Sequence, residues 1–377
     1  MDSRLGFQQD IRFARSAGDV RIAWSASGTG LPVVQVAHGL SHLEQDARAP
    51  LTLPWLTRLA ARRRLVRYDH RGCGLSDRGV EDLSLAALVS DLEAVADAAH
   101  LERFALLGLA SGGAVAISYA ARHPERVSHL ALVGTSGRGI RHLHAGETER
   151  RKWAALMTLV ELAWEDADPT IVQMLLAQSF PNATLEELRS LAALQRHAAN
   201  AADAVRMLRA LADFDVSSEL AHSRGPSLVL HARGDPHLPL DEGRAIAAAI
   251  PGARFATLES HNHLPLASEP AFEQLFAELE RFLPAVLPID AFAVLTQRER
   301  QILSLVATGL ANAEIAAHLA LSEKTARNNI THIFDKLGTA SRPQAIVRAR
   351  AAGLVADLRN YDFRRIDELP IRDQRPV

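Results

Sequence analysis

The stretch Leu106-Leu107-Gly108-Leu109-Ala110-Ser111-Gly112-Gly113-Ala114-Val115-Ala116 constrains this chain more than any other. An apolar run breaks at a glycine-bracketed turn and continues into a helix of small residues. This is the grammar of a nucleophile elbow, Gly-x-Ser-x-Gly, where a sharp strand-to-helix turn strains the central residue and leaves no room beside it. Gly108 and Gly112 fix the register, so the nucleophile position falls on Ala110. A methyl group can neither give up a proton nor attack a carbonyl. Ser111 stands one residue later, where the backbone N–H normally faces an oxyanion and the side chain points elsewhere. Two alternatives stay open on these residues: Ser111 as a displaced nucleophile, and a plain strand–glycine–helix crossover.

The chain has 377 residues, more than one ordinary core organises, which predicts one large domain and one small one. A formal net charge of -2 exerts no whole-chain pull on nucleic acid, so any basic surface must be local. The single cysteine, Cys73, rules out an internal disulfide and a cysteine-based metal site, in keeping with a reducing cytoplasm. Neither a signal peptide nor an apolar run of about 18 residues is recognisable, so a cytoplasmic protein that does not span a membrane is expected. No metal site or cofactor is expected either.

Strand patterns at 20–26 and 33–37 open a sheet, and the second leads into His38-Gly39-Leu40. A glycine after a central strand lets the next N–H point into the crevice at the strand ends, so the Leu40 N–H is the first expected oxyanion donor. His38 has a plain reading as a structural imidazole. A strand at 65–68 precedes Asp69-His70-Arg71-Gly72-Cys73-Gly74-Leu75-Ser76-Asp77. A phosphate-cradling role for that loop fails, because no Lys-Ser/Thr follows the glycines. Leu85, Leu88, Val89, Leu92 and Val95 mark an amphipathic crossover helix before the strand at 104–107. After a strand at 129–133, residues 138–220 show helical periodicity and no convincing strand, with an N-cap signal at Thr184 before Glu186 and Glu187. This block is expected to roof the crevice, with Trp153, Met157, Trp164, Met174 and Phe180 lining an apolar pocket; core packing explains each of them as well.

Strands return at 227–231, followed by Gly234-Asp235, and at 255–258, followed by His261-Asn262-His263. The order nucleophile position, Asp, His is that of a triad on such a sheet, which makes Asp235 the orienting carboxylate and His263 the base. His261 competes for that role, but Asn262-His263 before an apolar segment is the better match. Taken together, residues from about 8 to 283 resemble the α/β-hydrolase family. The resemblance rests on His38-Gly39, the Asp-x-Arg-Gly-x-Gly-x-Ser loop from Asp69 to Ser76, the elbow, Gly234-Asp235 and Asn262-His263. It implies a doubly wound α/β sheet with a helical cap over residues 1–283, and Ala110 is the departure that disarms the family's chemistry.

Residues 284–294 read as a proline-containing linker. Beyond it, a Thr296-capped helix runs to Gly309, followed by helices at Asn312–Leu319, Glu323–Leu337 and 343–352. A short helix, a turn through Ala320-Leu321-Ser322 and a longer polar-faced helix make a helix-turn-helix. Between Leu295 and Val355 there are eight Lys/Arg against four Asp/Glu, a local positive balance in an otherwise slightly acidic chain. Leu-Thr-x-Arg-Glu, Gly-Leu-x-Asn-x-Glu-Ile-Ala, Ser-x-Lys-Thr and Lys-Leu-Gly stand in order, so residues 295–355 resemble the LuxR-type DNA-binding domain, small and all-α. Ala326 and Asn329 depart from it, where the family favours Val and His. The charged tail at 356–377 receives no role.

These observations predict a DNA-binding transcription regulator whose hydrolase-fold domain senses a small, largely apolar, carbonyl-containing ligand without cleaving it. Leu40, Ala110, Ser111 and His263 are the expected ligand contacts. Arg327, Asn328 and Thr331 are expected to face base edges, and Lys324 and Thr325 to grip phosphate, on double-stranded DNA bound by a homodimer. Two other readings remain: an active serine hydrolase fused to a DNA-binding domain, with Ser111 acting or Ala110 replacing a natural serine, and a hydrolase-fold scaffold used for dimerisation alone.

Overall fold

The computed structural model describes residues 7–143, 146–164, 169–283, 295–339, 341–351 and 354. Its contacts divide the chain into two units, Met1–Leu283 and Pro284–Val377. The expected linker at 284–294 and the tail at 356–377 lie outside the described residues.

The first unit runs β1 Asp10–Arg15, β2 Arg21–Ser27, β3 Pro32–Gln35, α1 Leu43–Asp46, α2 Leu53–Ala60, β4 Arg64–Tyr68, α3 Leu85–Ala98, β5 Phe104–Leu109, α4 Gly112–Arg122 and β6 Val127–Val133. It continues with α5 Ile140–Leu143, α6 Glu147–Ala163, α7 Thr170–Ser179, α8 Leu185–Ala198, α9 Ala201–Asp213, β7 Ser227–Ala232, α10 Leu240–Ala249, β8 Arg254–Leu258 and α11 Pro270–Phe282. Among the described residues the strands form one eight-stranded sheet in the order β1-β2-β4-β3-β5-β6-β7-β8. β1 and β2 pair antiparallel, as do β2 and β4; every other pair is parallel.

β5 is buried at all six positions, as a central strand with helices on both faces must be. Its alternate residues feed two cores, Leu106 with α3 and α4 on one face, Leu107 with α2 and α11 on the other. α4 can lie close against β5 because its first turn is glycine. A Cβ on Gly108 would stand 2.8 Å from the Gly113 Cα, and one on Gly112 would stand 2.7 Å from the Ala37 carbonyl oxygen.

Several sequence expectations are corrected here. β1 was not anticipated: it is an edge strand whose Asp10, Arg12 and Arg15 are exposed, and edge strands carry charge rather than an apolar alternation. The second expected strand, 33–37, is β3 and stops at Gln35, while β6 starts two residues before 129. In the block 138–220 the described residues form α5 to α9, with an isolated bridge between Arg138 and Asp215 tying its two ends. Thr184 starts α8 through a capping box with Glu187. Met174, expected to line the pocket, is 55% exposed instead, on the outer side of α7.

Among its described residues the second unit has α12 Gln297–Thr308, α13 Asn312–Leu319, α14 Glu323–Leu337 and α15 Arg342–Ala351 around one apolar cluster. Thr296 and Glu299 form the capping box of α12, and Gly309 ends that helix in the left-handed conformation. Residue 352, the expected end of the last helix, lies outside the described residues. Ala326 is fully buried, so its departure from valine acts on packing and not on a DNA contact. Among the described residues no helix is long and apolar enough to cross a membrane.

Candidate functional site

The loops that follow β3, β5, β7 and β8 deliver the predicted residues to one end of the sheet. Ala110 occupies the elbow with φ +46°, a left-handed conformation that costs a residue bearing a Cβ about 1–2 kcal/mol. The Ala110 N–H donates to the Val133 carbonyl at 3.0 Å, and its carbonyl accepts from the Gly113 N–H at 3.1 Å. The strained turn is therefore held from both sides, although its side chain is a methyl. The Ser111 hydroxyl accepts a hydrogen bond from the Gly39 N–H at 3.0 Å. No hydrogen bond joins it to His263 among the described residues.

Asp235 and His263 are in register. His263 Nδ1 lies 2.8 Å from Asp235 Oδ2, and the other carboxylate oxygen accepts from the His237 N–H at 2.8 Å and the Leu238 N–H at 3.1 Å. Burial works to raise the Asp235 carboxyl, but the His263 bond and charge and the two backbone donors hold it below the ordinary aspartate range. An ionised aspartate on Nδ1 leaves Nε2 of the imidazole free to face a ligand. His261 is exposed and sits against Gly234.

Ala110, Ser111, Leu40 and His263 all border a cavity of about 440 Å³. This lies within the range of pockets for small organic ligands, roughly 300–1,000 Å³. Its roof comes from the helical block: Trp153, Met157, Trp164 and Phe180 line it, together with Val160, Leu191 and Phe214. The N–H groups of Leu40 and Ser111 make no hydrogen bond among the described residues. His38 also borders the cavity; burial, then the charges of His263 and Arg67, push its imidazole down to about 4.

Sequence reasoning missed a second imidazole. The His237 ring lies 5.4 Å from that of His263 at 82°, and its Nε2 is hydrogen-bonded to the Ser179 hydroxyl. Ser179 ends α7, and its carbonyl accepts from the His263 N–H at 2.9 Å. The cap is thus latched directly to the histidine loops. The available signal was Asp235-Pro236-His237, which reads as a turn until the cap is in place.

In the second unit, Lys324, Thr325, Arg327, Asn328 and Thr331 are all exposed on α14. Ser322 caps this helix by accepting from the Thr325 N–H at 3.1 Å. Arg327 Nη2 is held by Glu323 Oε1 at 2.9 Å, and the Thr331 hydroxyl donates to the Arg327 carbonyl at 3.1 Å. The side chains of Lys324 and Asn328 have no partner among the described residues. His332, one turn beyond Asn328 and also exposed, is a surface residue that the sequence reading passed over.

The model of the alpha/beta hydrolase fold matches residues 36–270, and that of the bacterial regulatory proteins of the luxR family matches residues 293–349. The chain belongs to the α/β-hydrolase-fold family. Within this family it is similar to RutD of Rhizobium rhizogenes, which is named as a carbamate hydrolase. The two are 27% identical over 237 residues, 62% of this chain and 87% of that one. RutD of a Caulobacter species is 32% identical over 205 residues, 53% of this chain and 74% of its own. Among solved structures, the enol-lactonase of Burkholderia xenovorans matches with a TM-score of 0.58 and 21% identity, covering 72% of this chain and 99% of the enzyme, a likeness of fold. The α/β-hydrolase-fold unit is thus joined in one chain to a LuxR-type DNA-binding unit, which implies double-stranded DNA as partner.

Proposed function

We propose that the protein is a transcription regulator whose hydrolase-fold unit binds a small carbonyl-containing ligand and does not cleave it. The observation that carries this reading is Ala110: a methyl at the strained elbow, beside a Ser111 hydroxyl committed to Gly39, in a cavity whose other fittings are intact. The unpartnered N–H groups of Leu40 and Ser111 suit a carbonyl oxygen, and His263 offers a further polar contact. Carbamates and enol-lactones, the compounds in the relatives' names, are carbonyl compounds of this class. The regulator acts in the cytoplasm as a homodimer on a near-palindromic site, since one helix-turn-helix offers little area for a tight complex. Lys324 and Thr325 grip phosphate, while Arg327, Asn328 and Thr331 read bases.

The alternative, a hydrolase fused to the same DNA-binding unit, draws on the preserved Asp235–His263 pair. An ester-hydrolysis assay on the purified protein separates the two readings. Background rates together with ligand-induced thermal stabilisation support the sensor. Turnover that disappears in Ser111→Ala establishes the hydrolase.

A further inference from the structure

The cavity has two chemically different ends. Under the cap its wall is mainly apolar, formed by Trp153, Met157, Val160, Leu191, Leu211 and Phe214, with Gln178, Ser179 and Gln195 also bordering it. Below the elbow it reaches the sheet, where Gln35, Asp46 and Arg67 form the wall. Gln35 and Arg67 are register partners in the parallel β3–β4 pair, so their side chains leave the sheet on one face. Gln35 is only 8% exposed, yet its carboxamide makes no hydrogen bond among the described residues, and its Oε1 is fully buried without a partner. Native structures rarely leave such a group unsatisfied unless something else satisfies it. Arg67 donates to Asp46 Oδ2 at 3.3 Å, Gln9 Oε1 at 2.9 Å and the Leu43 carbonyl at 3.3 Å, three bonds for a group with five donors.

We infer that this floor is a second recognition subsite, built by Gln35 with Arg67 and Asp46. It takes an uncharged hydrogen-bonding head group, a carboxamide in its simplest form, on the ligand whose carbonyl sits at the elbow. Charge decides the class. The Arg67 guanidinium is already balanced by Asp46 at 3.3 Å, so an anionic head loses at that carboxylate what it gains at Arg67. An ammonium head meets the reverse conflict with Arg67. A carboxamide carries a donor and an acceptor together, the complement of a Gln35 amide and a spare Arg67 N–H. The ligand is then bipolar, with its apolar portion toward the cap and its head on the sheet.

This inference rests on the ligand-binding reading above, and one titration set distinguishes their failures. The full-length protein is titrated calorimetrically with ethyl esters of one chain length that end in isopropyl, carboxamide, carboxylate or ammonium groups. The carboxamide ester is expected to bind best, about tenfold to thirtyfold tighter than its isopropyl isostere, as two net hydrogen bonds allow. Gln35→Leu, which keeps the volume, should erase that preference by weakening the carboxamide ester relative to the isopropyl ester; Gln35→Met serves if the leucine variant fails to fold. Equal affinities for the isopropyl and carboxamide esters, tighter binding of a charged head, or a preference that survives both variants overturns the subsite alone. Absence of binding by all four esters overturns the ligand-binding reading with it.

Discussion

Ala110→Ser adds one oxygen at the strained elbow, in the cavity that His263 also borders. Serine carries the same Cβ as alanine, so the strain at φ +46° is unchanged and the fold should tolerate the substitution. Loss of the serine from a well-studied triad enzyme costs about 10⁶-fold in rate, or about 8 kcal/mol at 1.36 kcal/mol per decade. The reverse change recovers less, because the site has not been tuned for turnover. With the Asp235–His263 bond already at 2.8 Å, a gain of roughly 10²–10⁴-fold is expected, about 3–5 kcal/mol. Initial rates on p-nitrophenyl butyrate measure it, with thermal unfolding as the control for folding. His263→Ala on top of Ala110→Ser should return the rate to background. A folded Ala110→Ser protein with no gain, or a gain that survives His263→Ala, refutes the claim that the elbow and the pair form one disarmed triad.

Four buried groups pull the stability of the first unit in opposite directions as pH falls from about 6.5 to 4. Burial first, then neighbouring cations, pushes His38 down to about 4 and His70 to about 3, so the unfolded chain takes up protons below pH 6.5 that the folded chain refuses, and stability falls on acidification. Burial raises Asp46 to about 6 and Asp69 to about 7, and these folded carboxyls keep protons that the unfolded chain releases above about pH 4, so their term rises on acidification. His70→Phe should therefore lose less Tm than the unsubstituted protein as pH falls from 6.5 to 5; an equal or larger loss contradicts the part given to His70. In the second unit, Glu299 is held down to about 2 by its Lys336 bonds and the Thr296 N–H, so its contribution is present above about pH 4.5 and is lost as pH falls toward 2. Lys336→Met should move that loss to higher pH, seen as earlier decline of amide protection in α12 and α14; an unmoved profile counts against the pair. Arg327→Ala should cost about 1–3 kcal/mol on specific DNA and relax one base pair, whereas Lys324→Ala should weaken all DNA alike and flatten the salt dependence. Equal losses on specific and scrambled DNA for Arg327→Ala would mean that other residues read the bases.

What the sequence disclosed follows from how local each signal is. The elbow, the N-caps at Thr184 and Thr296, and the helices Asn312–Leu319 and Glu323–Leu337 are written in consecutive residues, and the structure has them at those positions. β1 was illegible because an exposed edge strand has no apolar alternation to read. Met174 was misplaced because hydrophobicity does not say which side of a cap helix faces the cavity. Gln35 and Arg67 gave no signal, since their meeting depends on the parallel register of β3 with β4 and not on any spacing along the chain. The latch of His237 on Ser179 likewise needed the cap and the β7 loop brought together.

The central claim is that ligand occupancy changes DNA binding while the ligand stays whole. The direct measurement titrates a labelled operator fragment with full-length protein, with and without a saturating carbonyl ligand, and then recovers the ligand for mass spectrometry. The account predicts a shift in operator affinity on saturation and recovery of the ligand intact. An affinity that does not move, or a ligand recovered as its hydrolysis products, would contradict it.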